Sequence, residues 1–497
     1  MRVILKNVFS NWAGFIVHTA IAFYLSPFLI HSLGKEVYGL WVLVGSLTGY
    51  MGVLDMGVRS AIVKYTSSYF AQKDYKELSN IANNSITLFS IFACIILTVV
   101  AILFFFLEDI FQIRPDMLRT SQIVFVIMGV NLALTFPLNV FGGMISGLQR
   151  YEITNGLSIV FSILKLVLLI IFINQGYGII ALALITVGLT QIKYLIFFVV
   201  VKKLIPEYSF KFLHYNKEAA KKILSFSFQT FLLVISEMAV YYSDSIIIGA
   251  FLALSTVTFY VVAWTLLDYL RKIVNRIAFV LMPAASEMDA RKKDDHIKNL
   301  YKQSTKYSLL IMIPILSVLI IMGDSFLVLW LGEEFRKSYM VLLILGAGEI
   351  FALMQSIANQ MLVGLGRHNL INKHKISLAV LKIGLSIFLL NYFDILGVAM
   401  GTTIPTLAIT IFILIPISMR EFHFTLGSFL NEVIKTPLIF FVCSLLALFV
   451  LDNILLVNTW ILFIGITIAF SIVYAGFMYT VLPVQIKSKI NSFIKKK

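Results

Sequence analysis

Residues 85–107 and 460–482 of this chain each run for 23 residues without one charged side chain. Residues 121–140 do the same over 20, and 157–173 and 438–451 come close. About 20 apolar residues in a helix match the hydrocarbon thickness of a bilayer. There is no water in that layer, so each backbone polar group must find its partner inside a helix or a closed barrel. The whole chain follows the same rule: it is 60% hydrophobic and 13% charged, where soluble domains carry about 25% charged residues. The expected fold is an all-α polytopic membrane protein.

Hydropathy places about 14 transmembrane helices, at 8–32, 38–63, 81–107, 118–145, 153–174, 178–203, 224–250, 255–283, 304–323, 339–364, 373–392, 396–419, 433–451 and 460–482. With the N-terminus inside, 29 of the 40 Lys and Arg fall on the inner side, 5 on the outer side and 6 at membrane depth. A missed or invented helix would invert the alternation downstream of it, so this asymmetry supports both the count and cytoplasmic termini. The net charge of +15 is then a topology signal and calls for no nucleic acid. The first apolar stretch, 12–30, is too long for a signal-peptide core and lacks a small-residue cleavage site. Cys94 and Cys443 lie in apolar runs and read as small core residues, with no disulfide. The seven histidines show no metal-ligand spacing. There is no Walker A loop, HExxH, GxSxG, or GxGxxG after a strand, so the expectation is a transporter without cofactor or metal, not an enzyme.

The chain repeats internally. Gly147-Leu148-Gln149-Arg150 matches Gly364-Leu365-Gly366-Arg367 at an offset of 217, which also takes Asn155 to Asn372, Leu164-Lys165 to Leu381-Lys382 and Asn174 to Asn391. The copies lie six helices apart, so they share one orientation, as in transporters built from parallel repeats. This gives a six-helix N-terminal lobe at 1–205, a cytoplasmic linker at 206–222 and a six-helix C-terminal lobe at 223–420. Two accessory helices and a basic tail follow at 421–497. The linker and the highly charged stretch 286–306 are expected to be amphipathic helices on the inner leaflet.

Charges at membrane depth are costly and usually face a cavity or a partner. In the eighth helix Asp268, Lys272 and Arg276 stack at i, i+4, i+8, with Arg271 beside them. If Pro283 marks the inner end, Arg271 sits 12 residues, or ~18 Å, deep. These bases read as a cationic wall that attracts an anion, or, if the helix ends early, as inner-leaflet anchors. Lys165 and Lys382 are repeat-related and near mid-bilayer. They suit an anionic or sugar-rich substrate, and equally suit a structural role beside carbonyls or a buried acid. Lys193 lies near the inner end and reads as snorkelling to the surface. Asp55 and Arg59 are an i, i+4 pair, Glu237, Tyr241 and Asp244 share a face, as do Asn7, Asn11 and His18, and Glu349 lies in the tenth helix. The acids and His18 are candidates for a coupling proton or sodium ion, and equally the natural partners of the embedded bases.

Several stretches resemble a known family. Leu33-Gly34-Lys35-Glu36-Val37-Tyr38-Gly39-Leu40, following Asn7, Asn11 and Pro27, is similar to the first helix pair of polysaccharide flippases. Leu54-Asp55-Met56-Gly57-Val58-Arg59-Ser60-Ala61-Ile62-Val63-Lys64-Tyr65 resembles the end of their second helix. Tyr242-Ser243-Asp244 followed by Ile246-Ile247-Ile248-Gly249 resembles their seventh helix, and Gly147–Arg150 the end of their fourth. These are the O-antigen and capsule repeat-unit flippases of the multidrug/oligosaccharidyl-lipid/polysaccharide exporter superfamily. The resemblance covers essentially the whole chain. It implies two lobes around a cavity, alternating access, and a substrate of undecaprenyl diphosphate bearing a short oligosaccharide in the bacterial inner membrane. It also implies polysaccharide polymerase and chain-length machinery as partners. Related peptidoglycan-precursor flippases use cavity arginines in helices 1, 2 and 8. Here Arg59, Arg271 and Arg276 answer for helices 2 and 8, but helix 1 offers only His18. The rivals are a multidrug or cation exporter of the same superfamily, whose site would be acidic, and a glycosyl-lipid polymerase or ligase, which would need a large outer loop.

Overall fold

The computed structural model describes residues 2–55, 57–367, 369–482 and 487–488, without the side chains of 2–9, 55 and 226–233. There is no strand among the described residues. The first eight helices are α1 (Arg2–Leu33), α2 (Lys35–Met51), α3 (Val58–Ala71), α4 (Tyr75–Ile110), α5 (Pro115–Gly147), α6 (Tyr151–Asn174), α7 (Gly178–Leu204) and α8 (Lys217–Phe251). Then come α9 (Leu254–Ala290), α10 (Asp294–Ile321), α11 (Gly323–Leu331), α12 (Lys337–Gly364), α13 (Asn369–Ile409), α14 (Ile415–Glu421), α15 (Leu426–Phe429), α16 (Lys435–Leu455) and α17 (Trp460–Val481).

Twelve helices among the described residues are long and apolar enough to cross a membrane. Two features account for the difference from the expected fourteen. The charges of α9 keep it below the apolar threshold, although it is 37 residues long. The span Asn369–Glu421 counts once but contains Asp394, whose φ of 56° and ψ of −135° break the helix in two.

By packing, the chain divides into Met1–Val261 and Val262–Lys497. In the first unit α5 lies along α4 and α7, α1 along α6, and α8 against α2 and α4. In the second, α10 packs on α12 and α16, and α12 on α13. The seventh span, expected to open the C-terminal lobe, is therefore held by α2 and α4, and the division falls inside α9.

Five local expectations are corrected. The helix expected at 38–63 is broken: a 3₁₀ turn at Gly52–Asp55 and a left-handed Gly57 (φ 75°) end one helix and start another. Arg59 is thus in the first turn of α3 and exposed. Pro283 does not end its helix, which runs on to Ala290, and 286–306 holds a turn between α9 and α10 in place of a separate surface helix. Residues 205–216 contain no helix either. Buried polar side chains need partners, and a polar face of α4 finds them in this segment. Asn83 Nδ2 donates to Ser209 O (2.8 Å) and its Oδ1 accepts from Lys211 N (3.2 Å). Asn84 Oδ1 accepts from Asn216 N (2.8 Å), and Thr87 donates to His214 O (3.0 Å). Cys94 and Cys443 are free as expected, but exposed instead of in the core.

The two matched helix ends close alike, in a turn that also ends α6 and α14. Leu148, Gln149 and Arg150 N donate to Met144, Ser146 and Ile145 O, and Leu365, Gly366 and Arg367 N donate to Met361, Val363 and Leu362 O, every atom displaced by 217. Gln149 and Gly366 are both left-handed, at φ 58° and 71°. Glycine is required at both Gly147 and Gly364 by close approach of a neighbouring backbone. A Cβ on Gly147 would lie 2.8 Å from Val63 O, and one on Gly364 2.3 Å from Met282 O.

Candidate functional site

The bases of the second unit come with acids. Arg271 on α9 donates through Nε to Glu349 Oε1 on α12 (2.8 Å), and through Nη2 to Glu349 Oε2, a two-pronged pair. Glu349 is 4% exposed. The Arg271 guanidinium carbon lies 4.7 Å from the centroid of Trp264, and Lys382 Nζ from α13 lies 5.6 Å from the same ring. Lys382 is 0% exposed, so it offers no surface to a ligand in this conformation. One turn along α9, Lys272 bridges Asp268 at 2.7 Å. Arg276 is half-buried. The stack expected to form a cationic wall is therefore largely neutralised by Glu349 and Asp268. A ligand that took Arg271 would leave a buried carboxylate alone, at a cost of about 3–5 kcal/mol for a fully buried pair.

The first unit is different. On α6, Ser158, Ser162 and Lys165 follow i, i+4, i+7, and on α7, Thr186, Thr190 and Lys193 follow the same spacing. Side chains three and four apart share a helix face. The α6–α7 packing brings the two hydroxyl–hydroxyl–lysine stripes together with His18 of α1 around a cavity of about 280 Å³. Ser162 Oγ and His18 Nδ1 are 2.8 Å apart. Thr186 and Thr190 donate their hydroxyl protons to Leu182 O and Thr186 O, both at 2.7 Å, which leaves their oxygen lone pairs as acceptors. No carboxylate lines the cavity, and among the described residues none lies within ion-pair distance of Lys165 or Lys193. Lys193 is within electrostatic reach of Lys165, His18 and Arg59. Two ammonium groups without a carboxylate partner thus stand beside hydroxyl acceptors, with Lys193 Nζ also 5.3 Å from the centroid of Tyr194.

Of the other expected residues, Asp244 is 3% exposed and accepts from Tyr260 Oη at 2.6 Å. Glu237 is exposed. The side chains of Asp55 and Asn7 lie outside the described residues. Asn11 accepts from Asn155 Nδ2 (2.7 Å), which continues the polar α1–α6 contact begun at His18. Lys193 was read from the sequence as a snorkelling lysine, but it lines the cavity. The sequence signal for it is the shared spacing of the two stripes, which a single embedded charge does not carry.

A model of the polysaccharide biosynthesis protein family matches residues 4–289, more than half of the chain. The chain belongs to this family. Its sequence is 21% identical over 413 residues to the "Putative O-antigen transporter" of Shigella flexneri, across 81% of this chain and 94% of that protein. It is 20% identical over 330 residues to the uncharacterized membrane protein EpsK of Bacillus subtilis, where the match spans 66% of this chain and 65% of the relative's length. A solved structure of the lipid II flippase MurJ, inward closed, superposes with a TM-score of 0.71 at 15% identity, over 96% of this chain and 99% of that one. At that identity the likeness shows the fold. Family and relatives together make this polysaccharide biosynthesis protein a membrane transporter, and the expectation against an enzyme stands.

Replacement of Glu349 by Ala strands Arg271 among apolar helices. Arg271 keeps 27% side-chain exposure, so the expected loss of stability is about 2 kcal/mol, below the ~3–5 of full burial. Thermal melting in detergent measures it, and an Arg271→Gln, Glu349→Gln double variant should recover much of the loss. An unchanged melting curve for Glu349→Ala would remove the structural role of the pair.

Proposed function

We propose that this protein is a flippase that carries an undecaprenyl-diphosphate-linked oligosaccharide from the inner to the outer leaflet of the bacterial cytoplasmic membrane. The observation that supports this most is the carboxylate-free cavity of Lys165, Lys193 and His18 at membrane depth, in a chain of the polysaccharide biosynthesis family. A diphosphate and several sugars cannot enter hydrocarbon bare, since each unsatisfied polar group there costs several kcal/mol. Ammonium groups replace the hydration of phosphate oxygens, and Ser and Thr oxygens accept from sugar hydroxyls. The lipid tail stays in the bilayer. In this reading alternating access moves the loaded site from one leaflet to the other, driven by a proton or sodium gradient, with the buried Asp244 as the acid that takes the ion. Polysaccharide polymerase and chain-length machinery are the proposed downstream partners. A cation exporter is disfavoured by the sign of the cavity charge.

Flipping of a lipid-linked oligosaccharide in proteoliposomes tests the reading. A Lys165→Ala, Lys193→Ala variant should insert normally and lose flipping by at least about tenfold, one neutralised contact being worth roughly 1.4 kcal/mol or more. Lys165→Glu should be worse, because it repels the diphosphate. Parent protein should flip only with an imposed proton or sodium gradient, and Asp244→Asn should lose that dependence. Full flipping by the double variant would refute the site, and flipping without any gradient would refute the coupling.

The orientation proposed is cytoplasmic termini with the 205–216 segment inside. A cysteine at Lys217 or Asp295 should react with an impermeant thiol reagent only after permeabilisation, and one at Glu333 in intact cells, in a background with Cys94 and Cys443 removed. Ready reaction at Lys217 in intact cells would invert the topology.

A further inference from the structure

A second cavity of the first unit lies outside the polar site. It is a groove of about 460 Å³ between α4, α5 and α7, closed at one end by Phe210 and Phe212 of the 205–216 segment. Small side chains make the room: Ala93 on α4, and Ala133 and Pro137 on α5. The groove follows α4 from Ile86 to Leu97, ~16 Å at 1.5 Å per residue. No charged side chain lines it. Its one hydroxyl, Ser90, donates its proton to Ile86 O at 2.8 Å. The lining therefore has no donor to offer a polar ligand, and it suits a hydrocarbon chain.

The end of the groove is built to be rigid. Asn83 grips Ser209 O and Lys211 N, on either side of Phe210. Phe210 packs on Phe198 and Phe141, with ring centroids 5.4 and 6.4 Å away. Lys211 lies between the two lining phenylalanines and is exposed. The segment around it carries Lys202, Lys203, Lys211 and Lys217 against Glu207 and Glu218. It also exposes Phe212, Leu213 and Tyr215, each above 60%. Aromatic and basic side chains together mark the level of lipid headgroups.

We infer that this groove holds one acyl chain of an anionic phospholipid from the surrounding bilayer, with its headgroup at Lys211. The apolar channel takes the chain, and the basic segment at its end, with Lys211 between the two lining phenylalanines in sequence, supplies the charge. A polyprenyl tail also fits the chemistry of the walls, but a groove of this length would leave most of it outside. The inference does not depend on what the Lys165–Lys193 cavity carries.

Native mass spectrometry of the full-length protein, purified from mixed phosphatidylglycerol and phosphatidylethanolamine bilayers, reads the result. The parent should retain one phosphatidylglycerol in preference to phosphatidylethanolamine. Lys211→Glu, on an exposed side chain, should lower that preference at least about fivefold, the worth of one lysine near an anionic surface. Ala93→Phe fills the groove from α4 and should abolish the retained lipid of either class. Equal retention of the two lipids by the parent would overturn the inference. So would retention that neither variant changes, or displacement of the phospholipid by a polyprenyl phosphate at equal concentration. Lys211→Glu leaves the apolar lining intact, so it gives an answer even if Ala93→Phe fails to fold.

Discussion

A charge held among apolar helices must find an opposite charge, a dipole or water, because hydrocarbon supplies none of them. Much of what is distinctive here follows from how the two units meet that demand. The second unit pairs its charges: Arg271 with Glu349, Lys272 with Asp268, while Lys382 lies over Trp264. The first leaves Lys165 and Lys193 facing a polar cavity with no carboxylate in its walls. Pairing makes a strut, and an unpaired cation beside a cavity makes a site. The repeat-related Lys165 and Lys382 therefore sit in different surroundings, one lining a polar cavity and the other buried over an indole ring.

The same demand shapes the backbone. The 205–216 segment has no helix to satisfy its amides, and α4 supplies Ser79, Asn83, Asn84 and Thr87 as partners. At 147 and 364 the repeat is preserved because neither copy tolerates a Cβ against a neighbouring carbonyl. The paired Gly positions in the sequence thus record packing.

Helix positions are legible because they depend on a pattern along one chain, the twenty-residue apolar run. The break at Gly57 was less legible, since a glycine within an apolar run only becomes a stop when its φ turns positive. The linker was read as amphipathic from its mixed charge, but its structure is set by asparagines over 120 residues earlier. The site was legible by residue type and not by role. Lys165 and Arg271 look alike in sequence, because the distance from Arg271 to Glu349 is a property of packing between α9 and α12. The i, i+4 spacing of Asp268 and Lys272 is visible in the sequence, and the structure forms that pair.

The central claim is that the anionic part of the substrate is held by the unpaired lysines of the first unit, and not by the paired arginine of the second. An experimental structure of the protein with its lipid-linked oligosaccharide tests this directly. The account predicts density for the diphosphate or an acidic sugar within hydrogen-bond distance of Lys165 and Lys193 Nζ, with the Arg271–Glu349 pair intact. Phosphate density on Arg271, with Glu349 displaced and the Lys165–Lys193 cavity empty, would contradict it.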